Sequence, residues 1–155
     1  MMLPFTNGTA ALLAAALLVW GCATVPVSER SQLQLIPEGQ ILSLSADQYQ
    51  QFLSEHEVIT GTAEAEMVKR VGNDIRQAVE TYLNERGMAE LLDDYAWEFN
   101  LVADESVNAF AMPGGKVVVF EGILDGAQDD AGLATVMGHE VAHAIARHGN
   151  ERMSQ

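Results

Sequence analysis

From Leu133 to His148 the chain reads Leu-Ala-Thr-Val-Met-Gly-His-Glu-Val-Ala-His-Ala-Ile-Ala-Arg-His, and within it His139, Glu140 and His143 form an H-E-x-x-H pattern. At about 100° per residue, positions four apart return to within roughly 40° of each other, so the two imidazoles project from one helix face a turn apart. They can grip one metal ion. From Leu133 to Ala146 every other residue is apolar or small, which predicts a helix buried all round. Asp129 and Asp130 offer its N-cap, Arg147 and His148 suit its negative end, and Gly149 can close it in a left-handed conformation. Three buried ionisable groups without partners are costly, and a zinc ion with Glu140 facing its water offsets that cost. The alternative is a pair of satisfied core histidines.

A chain of 155 residues holds one domain. Its first 28 residues carry no charged side chain, and Ala10 to Trp20 is hydrophobic but short for a membrane span. Leu18-Val19-Trp20-Gly21-Cys22 resembles a bacterial lipobox, so residues 1–21 are expected to be a lipoprotein signal peptide and Cys22 the lipidated residue. Cys22 is the single cysteine, which excludes an intramolecular disulfide. If Cys22 is lipidated, the resemblance to enterobacterial lipoproteins implies that Ala23 after it permits export to the periplasmic face of the outer membrane. A basic segment normally opens a signal peptide, and its absence here keeps simple secretion to the periplasm as the alternative. The net charge of −14 falls entirely on the remaining chain and argues against a nucleic-acid partner.

Residues 22–42, with Pro26 and Pro37, read as a tether. Ser43 to Ile59 predicts a first helix capped by Ser45, with Tyr49, Phe52 and Leu53 as anchors and His56 on its surface. Thr62 to Arg86 carries apolar residues every fourth position from Met67 to Leu83, and Gly87 stops that helix. Tyr95 to Val102 alternates as a half-buried strand, with Trp97, Phe99 and Leu101 on one side. Asn108 to Met112 and Lys116 to Phe120 flank Pro113-Gly114-Gly115, which predicts a hairpin. Glu121 to Gln128 reads as a short helix or turn. The layout is α+β, with helices first, then a small sheet, then the metal-ligand helix.

The block Asn108-Ala-Phe-Ala-Met-Pro-Gly-Gly-Lys-Val-Val-Val-Phe-Glu-Gly-Ile-Leu124, followed by Met137-Gly-His-Glu-Val-Ala-His143 and Arg147-His148, resembles metallopeptidase family 48, and within it the soluble periplasmic and lipoprotein branch. The resemblance implies a zincin-like fold and a zinc-dependent endopeptidase of the gluzincin type, with one Zn2+ per chain. His139 and His143 would ligate the zinc and Glu140 would serve as general base. The strand of Val117, Val118 and Val119 would be a candidate edge on which substrate lies, or else one whose valines fill the core. Substrates would be unfolded, misfolded or damaged envelope proteins, in protein quality control.

The resemblance also places the third ligand on a Glu of a later helix, and no such motif lies in the twelve residues from His143 to Gln155. His148 lies about 140° around the helix from His143 and is expected at the surface or as a cap. Residues 43–155 are therefore expected to be the N-terminal part of a peptidase domain whose C-terminal part is missing. The alternative is a catalytically incomplete lipoprotein chaperone or assembly adaptor that keeps the fold.

Overall fold

A computed structural model describes Cys22–Thr24, Ser31–Leu33 and residues 37 to 147. Residues 1–21, read above as the signal peptide, and His148 and Gly149, read as a cap and a helix stop, lie outside the described residues. β1 (Cys22–Thr24) and β2 (Ser31–Leu33) pair antiparallel inside the stretch expected to be a tether. Then follow α1 (Glu38–Glu55), β3 (Val58–Ile59), α2 (Ala63–Glu85) and a 3-10 turn at Ala89–Leu92. β4 (Glu98–Val102), β5 (Ala109–Met112), β6 (Lys116–Phe120), a second 3-10 turn at Glu121–Ile123, α3 (Leu124–Ala127) and α4 (Asp130–Ile145) complete the order. The fold is α+β, as expected. Among the described residues no helix is long and apolar enough to cross a membrane.

β3, β4, β6 and β5 form one sheet in that order, with β4 and β6 parallel and both outer pairs antiparallel. Helices cover both faces. On one, Val68 and Val71 of α2 and Leu133, Met137 and Val141 of α4 meet Phe99, Leu101, Val117 and Val119. On the other, Tyr49, Phe52 and Leu53 of α1 meet Val102, Val118 and Phe120. A strand enclosed from both sides reads as an unbroken apolar run, which is why all three valines of β6 are completely buried.

Helix α1 begins earlier than Ser43. Pro37 stands at its N-cap, where a missing N–H costs nothing, and Glu38 in the first turn complements the helix dipole. Residues 38–42 are thus helical, and Ile41 is buried. Ser45 is not a cap: it is buried mid-helix, and its hydroxyl donates to the Pro113 carbonyl at 2.8 Å, tying α1 to the hairpin turn. The helix ends at Glu55, four residues before the expected Ile59, because Val58 and Ile59 pair with β4. His56 is half-buried, not a free surface group. Its ring stacks on Phe52 at 3.8 Å, and its Nδ1 donates to the Phe52 carbonyl at 2.8 Å.

α2 matches its predicted span. Thr62 caps it by accepting from the Ala65 amide at 3.1 Å, and Gly87 leaves it with φ of 67°. Gly72 lets it approach the sheet, since a β-carbon there would stand 2.4 Å from the Phe99 ring. The hairpin is also as expected, with Gly114 and Gly115 both at positive φ. At its base Lys116 is buried, yet its ammonium is satisfied by an ion pair with Glu98 and a 2.6 Å bond to the Ala96 carbonyl. Beside it, Asn100 donates to the Tyr49 hydroxyl at 2.6 Å.

Gly72→Ala is expected to lower the unfolding free energy by about 1–3 kcal/mol through overpacking. A urea midpoint equal to that of the unaltered protein would contradict the close α2–β4 approach. Burial pushes Tyr49 up to about 12, partly opposed by the Asn100 hydrogen bond. Because the fold favours the neutral phenol, this contribution is present in full below pH 10 and is lost as pH rises from 10 towards 12. Tyr49→Phe should flatten the alkaline fall in stability, read as urea midpoints across that range.

Candidate metal centre

Helix α4 is placed by its two ends and one stripe. Asp129 accepts from the Gly132 amide at 2.8 Å, and Asp130 makes a two-pronged ion pair with Arg70 of α2. Gly132 must lack a side chain, because a β-carbon would lie 1.9 Å from the Ala127 carbonyl oxygen. Leu133, Met137 and Val141, four apart, are the residues this helix buries. The expectation of a helix buried all round is therefore corrected: its packing partners lie on one side. Gly138, Ala142 and Ile145 line a cleft of about 440 Å³ with Val79, Tyr82 and others of α2.

Relative to the buried stripe, His139 and His143 lie roughly 140° around the helix, and Glu140 falls between them and the stripe. Accordingly His139 is exposed, whereas Glu140 and His143 are half-buried. The two rings stand nearly perpendicular, at 86°, and their Nε2 atoms are 3.0 Å apart. Without metal, one Nε2 donates to the other. Two nitrogens at about 2.0–2.1 Å from a tetrahedral zinc stand about 3.3 Å apart, so the pair needs to open by only a few tenths of an ångström. The rings fit as two ligands of one zinc ion. Among the described residues no group of three His, Cys, Asp or Glu side chains comes together to complete a site.

The structure moves the candidate substrate edge. β6 pairs with β4 on one side and β5 on the other, so Val117, Val118 and Val119 have no free backbone to offer and belong to the core. Among the described residues β5 and β3 are the outer strands, and β5 packs against α4. The Phe120 amide donates to the Asn108 carbonyl, so Asn108, Phe110 and Met112 turn their backbone groups towards β6. Ala109 and Ala111 consequently turn theirs to the open edge, and their side chains lie on the face shared with α4. An alternation of two could have suggested these alanines, but only strand order shows which hairpin arm is outermost.

The helix stop also differs from expectation. Arg147 takes the left-handed conformation, with φ of 56°, two residues before Gly149. Its guanidinium forms an ion pair with Glu38 of α1. Tyr95 stands nearby and is pushed up to about 12, mainly by burial, with Arg147 opposing and Glu38 adding. Nothing in the local sequence signals a pairing of residues 38 and 147.

The sequence pattern of Peptidase family M48 matches residues 69–155. The chain is 48% identical over 63 residues to the mitochondrial metalloendopeptidase OMA1 of Schizosaccharomyces pombe, covering 41% of this chain and 19% of that protein. To OMA1 of Saccharomyces cerevisiae it is 32% identical over 151 residues, covering 90% of this chain and 44% of the relative. To the β-barrel assembly-enhancing protease of Escherichia coli it is 36% identical over 52 residues, 34% of this chain and 11% of the relative. The chain thus spans less than half the length of these relatives. With the histidine pair, the adjoining glutamate and a match over more than half of its residues, the chain belongs to peptidase family M48.

Proposed function

We propose that the chain is part of a zinc-dependent metalloendopeptidase of the bacterial cell envelope, with His139 and His143 as metal ligands and Glu140 as general base. The observation that carries this reading is the 3.0 Å approach of the two Nε2 atoms beside Glu140, on a helix packed against an open strand edge. Zinc bound there would lower the pKa of a water towards about 7 and polarise the scissile carbonyl. A catalytic zinc takes three protein ligands, of which His139 and His143 would supply two.

The protein's own groups supply the rest. An extended peptide lies on β5 as an added strand, hydrogen-bonded to the outward amides and carbonyls of Ala109 and Ala111. Main-chain pairing of this kind requires an unfolded substrate segment, which supports misfolded or damaged proteins as the substrate class. Glu140 takes a proton from the attacking water and returns it to the leaving amine. Lipidation of Cys22 would hold the enzyme at the periplasmic face of the outer membrane. The lipobox-like residues 18–22 support that placement, as does a relative named for β-barrel assembly.

In the whole protein, Glu140→Gln is expected to slow hydrolysis of an unfolded protein by at least about 100-fold while zinc stays bound. Hydrolysis at the unaltered rate would remove Glu140 as the base. Ala111→Pro deletes one outward N–H and should lower kcat/KM about tenfold with little loss of stability, in keeping with one hydrogen bond. Phe110→Pro removes a bond to β6 and should instead destabilise the fold. If thermal melting ranked the two substitutions the other way, the edge assignment would be wrong.

A further inference from the structure

His143 lies in the last turn of α4, where a helix frays most readily. A metal ligand there needs its turn held. The helix closes with the Ala146 amide on the Ala142 carbonyl at 2.9 Å and the Arg147 amide on the Ala144 carbonyl at 3.1 Å. Arg147 then adopts φ of 56°, a conformation that glycine takes without strain and an arginine does not. A backbone stop alone would be better served by glycine, so the side chain is where the reason must lie.

That side chain enters a hollow of about 240 Å³ whose lining includes Glu38, Glu90, Asp94 and Tyr95. It pairs with Glu38 in the first turn of α1, and it is 21% exposed against 48% for its partner. α1 covers one face of the sheet and α4 the other, so this single pair joins the two helical layers directly. A pair this open to solvent adds little to global stability. Its effect is local, on the last turn of α4, which holds His143 four residues before Arg147.

We propose that Arg147, held by Glu38, is a positioning residue that clamps the last turn of α4 and sets the direction of the His143 ring towards the metal. The inference rests on the metal reading above. The test compares Arg147→Gly, Glu38→Gln and the double variant in the whole protein. Zinc affinity is read by competition with a chromophoric chelator, and amide hydrogen exchange at residues 144–147 is read without metal.

Each single variant should bind zinc about tenfold more weakly and exchange faster in the last turn. The double variant should bind no more weakly than the weaker single one, because both changes break the same contact. Melting of the metal-free Arg147→Gly protein should be unchanged or higher, since the strained φ is relieved. Unaltered zinc affinity in either single variant, or additive losses in the double, would overturn the clamp. An unaltered protein that binds no zinc would overturn the metal reading, and the hydrogen-exchange comparison would still decide whether the clamp holds the turn.

Discussion

The site depends on the burial of one stripe of α4. Leu133, Met137 and Val141 are at most 2% exposed and rest on the apolar face formed by β4, β6 and α2. Burying an aliphatic side chain of this size contributes about 1.5–3 kcal/mol. Those three contacts set the rotation of the helix about its axis, and the rotation turns His139 and His143 away from the core, with Glu140 between them and the stripe. A different stripe on the same helix would bury the imidazoles.

What α4 rests on is a sheet whose two faces are covered and whose outer strand β5 lies beside it. β4 and β6 are the inner strands, and β5 lies outside them, next to α4. The position of β5 gives the site its directionality: a peptide added there would run alongside α4 with its backbone recognised and its side chains alternating towards and away from the helix. Hydrogen bonds to backbone carry little sequence preference, which is consistent with the substrate class proposed above.

The opposite face contributes indirectly. Tyr49, Asn100, Glu98 and Lys116 form a satisfied polar group where α1 meets the sheet, and Ser45 anchors the same helix to the hairpin turn. These contacts fix α1, and α1 in turn presents Glu38 to Arg147 at the end of α4. α4 is thus held from its first residue by Asp129 and Arg70, along its length by the buried stripe, and at its last turn from across the sheet.

The sequence by itself determined whatever is settled within a turn or two of chain. Four-residue spacing places His139 and His143 together on any helix. Thr62, Asp129 and Gly87 mark helix ends wherever those helices pack, and the paired glycines at 114 and 115 make a hairpin of their flanks. Tertiary structure decided the remainder: that the valines of β6 are core and Ala109 and Ala111 are edge, that Ser45 bonds a distant turn instead of capping its own helix, and that Arg147 closes α4 against Glu38. Periodicity and caps are local energies, readable from neighbouring residues. Strand order and long-range pairing depend on which distant surfaces exclude water together, and that is settled only when the whole chain has packed.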